Sequence, residues 1–201
     1  MWRRGRSGPS FSAGPVVTPA KPAPALETGD RVFLRQPTAG DREELIERAR
    51  ASRSLHRPWV NPPATPEDFG DWLERIGQAT VKSFLACRTE DGAIVGVFTL
   101  SQIFRKGFQS AYLGYYGFEP FAGQGYMREG MRLVLRHIFR EMKLHRVEAN
   151  VQPENDRSIQ LAKKSGFRRE GFSPRYLKIA GRWRDHERWA ITAEDWRKLE
   201  R

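Results

Sequence analysis

Residues 112–142 most constrain what this chain can fold into. Residues 112–118 are bulky and aromatic enough to predict a buried strand, which Pro120 and Gly123 end. A helix is expected to begin at Met127, because apolar residues then recur at helical spacing on one face and arginines on the other. The apolar positions are Met131, Val134, Leu135, Ile138, Phe139 and Met142, and the arginines are Arg128, Arg132, Arg136 and Arg140.

The connection between this strand and helix is a candidate phosphate site. Gly123 and Gly125 lack a Cβ, so the backbone between them can approach a ligand closely. The first turn of the following helix offers N–H donors and the positive end of the helix dipole, which favour a bound anion. A tight connection without a ligand explains so short a motif equally well.

Two better-known phosphate motifs are absent from the sequence. No GxxxxGKS/T loop of nucleotide triphosphatases occurs, and the third glycine of a dinucleotide fingerprint falls at Gly130, two places late. Neither a nucleotide triphosphatase loop nor a dinucleotide-binding fold is therefore predicted.

Three motifs resemble one enzyme family. The run FAGQGYM at residues 121–127 resembles the acyl-coenzyme A signature of the GNAT N-acetyltransferases, Q/R-x-x-G-x-G/A, with Gly125 at its central glycine. Ala122 and Met127 depart from that signature, in a way that matches the RimJ/RimL-type ribosomal-protein-alanine N-acetyltransferases. Residues 150–167 resemble the N-x-x-P-x-N-x-x-S run of the same branch, and GRWRDH at residues 181–186 resembles its C-terminal G-x-W-R-D-H.

The resemblance implies acetyl-coenzyme A as cosubstrate and an amine as acceptor. It implies coenzyme contacts around the glycine turn and at one helix cap: Phe118, Gly123, Gln124, Gly125, Tyr126, Met127, Arg128 and Asn155. Trp59, on a proline-stiffened loop over residues 55–63, and Tyr176 and His186 are expected to contact the acceptor, although core packing explains a single tryptophan at least as well.

Catalytic roles follow from the same resemblance. Many GNAT enzymes place a proton-donating tyrosine at the position of Ala162, so here Ser158 is expected to protonate the departing thiolate. Asn155 is expected to cap the helix that carries Ser158 and to contact the coenzyme. Glu148 is the nearest carboxylate for a base acting through water, but a salt bridge with Arg146 is the more ordinary role for it.

The pKa of the acceptor distinguishes two substrate classes. A protein α-amine, with a pKa near 7.7–8.0, is roughly a quarter neutral at about pH 7.4, whereas a lysine near 10.4 is only about 0.1% neutral. An N-terminal α-amine therefore needs little help from a base and is the favoured acceptor. A small amine such as a polyamine, an amino sugar or a drug is the alternative, as is a protein that binds coenzyme A or RNA without turnover.

The element order predicts a mixed α/β fold with a mostly antiparallel sheet of about seven strands flanked by helices, and the resemblance implies a single GNAT domain over residues 30–201. Predicted strands cover residues 31–36, 82–88, 94–104, 109–118, 146–151, 167–177 and 182–191. Predicted helices cover residues 41–51, 66–77, 127–142, 156–165 and 193–199, the second beginning at Thr65 or Pro66.

Composition agrees with one domain and suggests partners. The chain has 201 residues, of which 39% are hydrophobic, enough for a real core. Residues 1–29 are proline-rich and basic at their start, which predicts a disordered arm. The net charge of +11 fits a phosphate-bearing coenzyme, contact with ribosomal RNA, or a solvated basic surface.

Localisation, metal content and assembly complete the expectations. No apolar run is long enough for a membrane span and no secretory signal is evident, so a cytoplasmic protein without membrane contact is expected, as a monomer or homodimer. No cluster of cysteine and histidine has metal-ligand spacing, so no metal is expected. The single cysteine, Cys87, is predicted to be a buried thiol in a strand.

Overall fold

A computed structural model describes residues 23–200, which form one open sheet of eight strands flanked by helices. The strands follow the order β1-β2-β3-β4-β5-β6-β8-β7, and every neighbouring pair is antiparallel except β5 and β6. The strands are β1 (Ala25–Thr28), β2 (Val32–Arg35), β3 (Lys82–Arg88), β4 (Ile94–Phe104), β5 (Ser110–Gly117), β6 (Arg146–Val151), β7 (Arg168–Ile179) and β8 (Arg182–Thr192). The predicted mixed, mostly antiparallel sheet is confirmed, with one strand more than expected.

The additional strand lies inside the segment predicted to be a disordered arm. β1 pairs with β2, and Glu27 accepts a 2.6 Å hydrogen bond from Nε of Arg136, far along the chain. The pairing with β2 is local, whereas the contact with Arg136 spans 109 positions, so the proline-rich composition gave no sign of it. Residues 1–22 of the predicted arm lie outside the described residues.

Six helices connect the strands, and one of them was not predicted. They are α1 (Arg42–Ala51), α2 (Arg53–His56), α3 (Pro66–Ile76), α4 (Tyr126–Arg140), α5 (Asp156–Lys164) and α6 (Ala193–Leu199). The short α2 covers the start of the expected loop over residues 55–63. The side chain of Thr65 accepts a 3.1 Å hydrogen bond from the N–H of Asp68, so Thr65 is the cap of α3.

The first helix begins at Arg42, one residue later than expected, with Asp41 at its N-cap position. A 3₁₀ turn over Ala39–Asp41 precedes α1, and the Asp41 carboxylate accepts from the N–H of Thr38 at 2.6 Å. The same carboxylate receives two hydrogen bonds from the Arg35 guanidinium, at 2.9 and 2.6 Å. Both charged side chains are buried, so this pair fixes the junction between β2 and α1.

The apolar face of α4 packs on the sheet, as its periodicity predicted. Met131, Val134 and Ile138 have no exposed surface. Gly130 lies so close to the sheet that an added Cβ would come within 2.9 Å of the Phe98 ring. The strand and the helix that flank the glycine turn therefore both contribute to the hydrophobic core. Cys87 is buried in the same core, as predicted.

The parallel pair β5 and β6 separates after a short contact. Only three residue pairs are in register, the last being Tyr112 with Glu148. Beyond this point β5 continues to pair with β4 up to Gly117, while β6 continues to pair with β8. The two strands therefore open into a gap in the middle of the sheet, directly before the glycine turn.

Candidate functional site

The glycine turn between β5 and α4 forms one end of the candidate site. Gly123 and Gly125 have φ values of 78° and 86°, in the left-handed region that favours glycine. Gly125 caps α4, so the N–H groups of Tyr126 and Met127 begin the helix without an intrahelical acceptor. These donors and the positive helix end suit the turn to an anionic group such as phosphate.

Two of the side chains in this turn point inward and shape it. The buried Tyr126 packs its ring against Phe121 with centroids 5.9 Å apart. The Met127 side chain fills the space over Gly96, where an added Cβ would collide with its sulfur. Tyr126 and Met127 therefore offer a ligand their backbone groups and not their side-chain ends.

Gln124 and Arg128 differ from these two. The side-chain Nε2 of Gln124 donates to the carbonyl of Pro120 at 2.6 Å and so folds back on the turn. Arg128 donates its N–H to the carbonyl of Gly125 at 3.1 Å, but its side chain is exposed. Arg128 thus provides a cation beside the turn.

Phe118, which is expected to contact the coenzyme, has its backbone groups and its ring engaged within the fold. Its N–H donates to the carbonyl of Val95 at 3.1 Å, its own carbonyl accepts from Phe121 at 3.0 Å, and its ring is buried. Phe118 therefore fixes the backbone at the start of the turn.

The gap between β5 and β6 presents free backbone donors. Hydrogen bonds along a strand alternate in direction, and Phe118 points its N–H toward β4. Tyr115 and Gly117, at odd spacing from Phe118, therefore direct their N–H groups toward the gap. Backbone donors fixed in this way can stabilise a developing negative charge without reorganising.

His56 braces this end of β5 and was missed by sequence reasoning. Its Nε2 donates to the carbonyl of Gly117 at 2.8 Å, and its ring lies edge-on to those of Tyr116 and Phe118. Burial lowers the pKa of His56, which keeps the ring neutral. No local pattern could have revealed this contact, because the partner is 61 positions away.

The first turn of α5 lies beside the gap and carries the predicted proton donor. Asn155 caps the helix, its Oδ1 accepting from the N–H of Ser158 at 3.2 Å. The backbone carbonyl of Ser158 accepts a 3.0 Å hydrogen bond from the Tyr115 hydroxyl. Ala162, which stands where many GNAT enzymes have a tyrosine, lies one turn later and is fully buried. The phenol that contacts α5 is instead that of Tyr115 on β5.

Polar side chains lie along one face of β6, the face opposite α5. Register places Tyr112 beside Glu148, and strand alternation places Asn150 on the same face of β6 as Glu148. Oδ1 of Asn150 is buried, and no group among residues 23–200 bonds to it. Nε2 of Gln152 donates to the carbonyl of Trp59 at 3.4 Å, which ties the half-buried Trp59 loop to the end of β6.

The carboxylate of Glu148 is held by a neighbouring arginine. Nε of Arg146 donates to Glu148 at 2.8 Å, and the same guanidinium makes a short contact with Glu170 on β7. The hydrogen bond from Arg146 lowers the pKa of Glu170. The predicted salt bridge of Glu148 is therefore present, and it keeps this carboxylate beside Tyr112 at the closed end of the gap.

Tyr176 and His186 meet at the same place from the outer hairpin. Their ring centroids are 6.2 Å apart, and His186 is 2% exposed. A hydrogen bond with Tyr176, together with partial burial, raises the pKa of Tyr112 to about 12. The fold thus brings together Tyr112, Glu148, Tyr176 and His186 on one side of the gap, and Asn155 and Ser158 on the other.

Neither metal ligands nor a membrane helix emerge from residues 23–200. Nowhere in this part of the chain do three or more histidine, cysteine, aspartate or glutamate side chains gather closely enough to hold a metal ion. None of its helices combines the length and the apolarity that crossing a membrane requires.

Comparison with known proteins gives a consistent picture. The acetyltransferase (GNAT) domain family matches residues 31–168. The [ribosomal protein uS5]-alanine N-acetyltransferase of Escherichia coli is 32% identical over 179 residues, covering 84% of this chain and 91% of that protein. RimJ from Mycobacterium smegmatis, solved in complex with CoA-disulfide, is 28% identical with a TM-score of 0.74, covering 84% of this chain and 88% of that one.

A further solved structure shares the fold at lower identity. It is a variant of the spermidine N-acetyltransferase SpeG from Vibrio cholerae, 19% identical with a TM-score of 0.70, covering 85% of this chain and 99% of that one. At this identity the likeness concerns the fold alone.

Proposed function

Because the chain belongs to the GNAT family of acetyl-coenzyme A-dependent N-acetyltransferases, we propose that its acceptor is the N-terminal α-amine of a protein, as in the ribosomal-protein-alanine type. The observation that carries this proposal is the 32% identity, over 84% of the chain, to an enzyme named for a ribosomal protein alanine. The open face of the gap, lined by Tyr112, Glu148 and Asn150, supports it by offering polar groups to an amine.

The glycine turn would hold the phosphate end of the coenzyme. Its donors are the N–H groups of Tyr126 and Met127, and the exposed Arg128 adds a positive charge. Gly123 and Gly125 keep the backbone bare, so a pyrophosphate can approach it closely. Bound acetyl-coenzyme A supplies a thioester carbonyl that an amine can attack.

The gap would hold the reacting end. The N–H groups of Tyr115 and Gly117 are placed to stabilise the negative charge that develops on the thioester oxygen. Ser158 would donate a proton to the departing thiolate, with Asn155 holding the first turn of α5 in place. In this arrangement the donors lie on β5 and α5, and the acceptor enters from the opposite face of the sheet.

Deprotonation of the acceptor amine would need little help from the enzyme. A protein α-amine has a pKa near 7.7–8.0 and is partly neutral at physiological pH. Glu148, held by Arg146, can take up the remaining proton through a water molecule. Trp59, Tyr176 and His186 would line the route by which the acceptor enters.

Release of free thiol from acetyl-coenzyme A tests this proposal directly. Three acceptors are compared: a peptide beginning with alanine, the same peptide with a blocked terminus and an internal lysine, and spermidine. Thiol release with the free α-amine alone is the expected result. Release with spermidine alone would replace the proposed acceptor by a small amine, and coenzyme binding without release would contradict turnover.

The basic surface suggests where the enzyme meets its substrate. A net charge of +11 would attract ribosomal RNA, and this encounter would occur in the cytoplasm. Co-sedimentation with ribosomes should then weaken steeply as salt rises from about 50 to 200 mM. Binding that does not respond to salt would contradict an RNA-mediated encounter.

A further inference from the structure

The outer hairpin contains an irregularity directly before Tyr176. The register between β7 and β8 shifts between Ser173 and Leu177, so β7 carries extra residues there. Within this bulge Arg175 has a φ of 49°, a left-handed conformation that is uncommon for a residue with a Cβ. Such a conformation persists only where surrounding contacts hold it.

One such contact comes from β8. Oδ1 of Asp185 accepts a 2.7 Å hydrogen bond from the backbone N–H of Arg175. The acceptor is a side chain and not a ladder carbonyl, so Asp185 holds the extra residues of the bulge where regular pairing is lost. The Asp185 side chain is exposed, and this hydrogen bond is its contribution to the fold.

The bulge determines where the next side chain goes. The Tyr176 ring lies 6.2 Å from that of His186, and its hydroxyl interacts with that of Tyr112. His186 is a fixed support, because its Nδ1 lies 3.0 Å from the carbonyl of Arg184 and must be the donor there. Tyr176 thereby connects the outer hairpin to the closed end of the gap.

We propose that Asp185 is a positioning residue for the acceptor: by holding Arg175 in its left-handed conformation, it places the Tyr176 hydroxyl next to that of Tyr112, and the two phenols receive the acceptor amine. This inference rests on the proposed function, since it concerns the amine side of the gap. The phenolic oxygens can accept hydrogen bonds from the N–H groups of a neutral amine.

Three variants at two positions separate this role from others. Asp185→Ala removes the acceptor for the Arg175 N–H, and the KM for the acceptor is expected to rise about tenfold, the effect of losing roughly one positioned contact. Asp185→Asn keeps an oxygen at this position and should restore most of the wild-type KM. Arg175→Gly, added to Asp185→Ala, should also restore it, because glycine adopts positive φ without a side-chain penalty.

Coenzyme binding provides the internal control. The dissociation constant for coenzyme A, measured by calorimetry, is expected to stay within about twofold in all three variants, because the glycine turn lies elsewhere in the fold. Tyr176→Phe should reproduce the KM effect of Asp185→Ala without disturbing the bulge. The variants are compared only at temperatures below the onset of unfolding of each.

Two outcomes would overturn the inference. An unchanged acceptor KM in Asp185→Ala would show that the bulge does not position the acceptor. Failure of both Asp185→Asn and Arg175→Gly to restore KM would mean that the charge of Asp185 acts on the substrate directly. The KM is measured with whichever amine the wild-type enzyme acetylates, so a wrong acceptor class and a wrong role for Asp185 give different results.

Discussion

The hydroxyl of Tyr115 donates a 3.0 Å hydrogen bond to the backbone carbonyl of Ser158. This contact joins the strand that borders the gap to the first turn of α5, across 43 positions of sequence. Burial raises the pKa of Tyr115 to about 12, so the phenol remains protonated and able to donate. The position of Ser158, the proposed proton donor, is thus set by Tyr115 on β5 as well as by its own helix.

Replacement of Ser158 by alanine should lower kcat by about a hundredfold, because protonation of the leaving thiolate contributes on this scale. Coenzyme binding should change by less than about twofold, since the backbone contacts of the residue remain. Ser165→Ala is the matched control: this serine caps the other end of α5, and its buried hydroxyl has no partner among the described residues. Stopped-flow thiol release and calorimetry give the two quantities, and equal losses in both would contradict the proposed role.

Two adjacent tyrosines allow a sharp test of the contact between β5 and α5. Tyr115→Phe removes a bonded hydroxyl and should lower the free energy of unfolding by about 1 kcal/mol and kcat severalfold. Tyr116→Phe removes a buried hydroxyl that has no partner in the described part of the chain, and should be neutral or stabilising. Urea unfolding distinguishes the two, and a larger loss for Tyr116→Phe would show that the hydrogen bond to Ser158 is unimportant.

The buried pair of Arg35 and Asp41 should dominate the stability of the junction between β2 and α1. Asp41→Ala leaves the Arg35 guanidinium buried without its partner and should cost about 3–5 kcal/mol of unfolding free energy. Glu43→Ala, which removes an exposed ion pair with Arg42, should have no measurable effect. Chemical denaturation of both variants provides the comparison, and similar midpoints for the two would contradict it.

Two buried histidines should make the fold sensitive to mild acid. Burial lowers the pKa of both His56 and His186, so the folded protein holds them neutral. Below about pH 6.5 the unfolded chain takes up protons that the folded chain resists, and unfolding becomes easier as pH falls. The stability contribution is therefore complete above about pH 6.5 and decreases below it.

The variant His56→Gln should show a smaller decrease than the wild type in unfolding free energy between pH 7 and 5.5. The relevant quantity is the slope with pH, because the replacement itself changes the contact with Gly117. Identical slopes would mean that other groups cause the acid sensitivity.

The sequence predicted those features that depend on neighbouring residues. Helical periodicity located α4, the glycines located the turn before it, and Thr65 marked the start of α3. Features that depend on distant partners were missed. Arg136 bonds to β1 from 109 positions away, and His56 bonds to the carbonyl of Gly117 from 61 positions away.

The site shows the same division. Motif resemblance selected Asn155 and Ser158, which the structure places beside the gap, but it also selected Phe118, whose backbone and ring are used inside the fold. The contact of Tyr115 with α5 was not predicted, because Tyr115 lies in an aromatic run and the local sequence does not distinguish it from the neighbouring tyrosines. Side-chain direction along β5, which separates these residues, is set by pairing with β4.

The short pairing of β5 and β6 has a consequence for how the protein responds to force and heat. In the described part of the chain, the half of the sheet formed by β1–β5 joins the half formed by β6–β8 through β5 and β6, which pair over three residues. A coenzyme bound in the gap would contact both halves and so connect β5 to β6 where the two strands no longer pair. The empty enzyme would then be the form most open to proteolysis and amide exchange along this seam, and cosubstrate supply would govern the lifetime of the protein as well as its turnover.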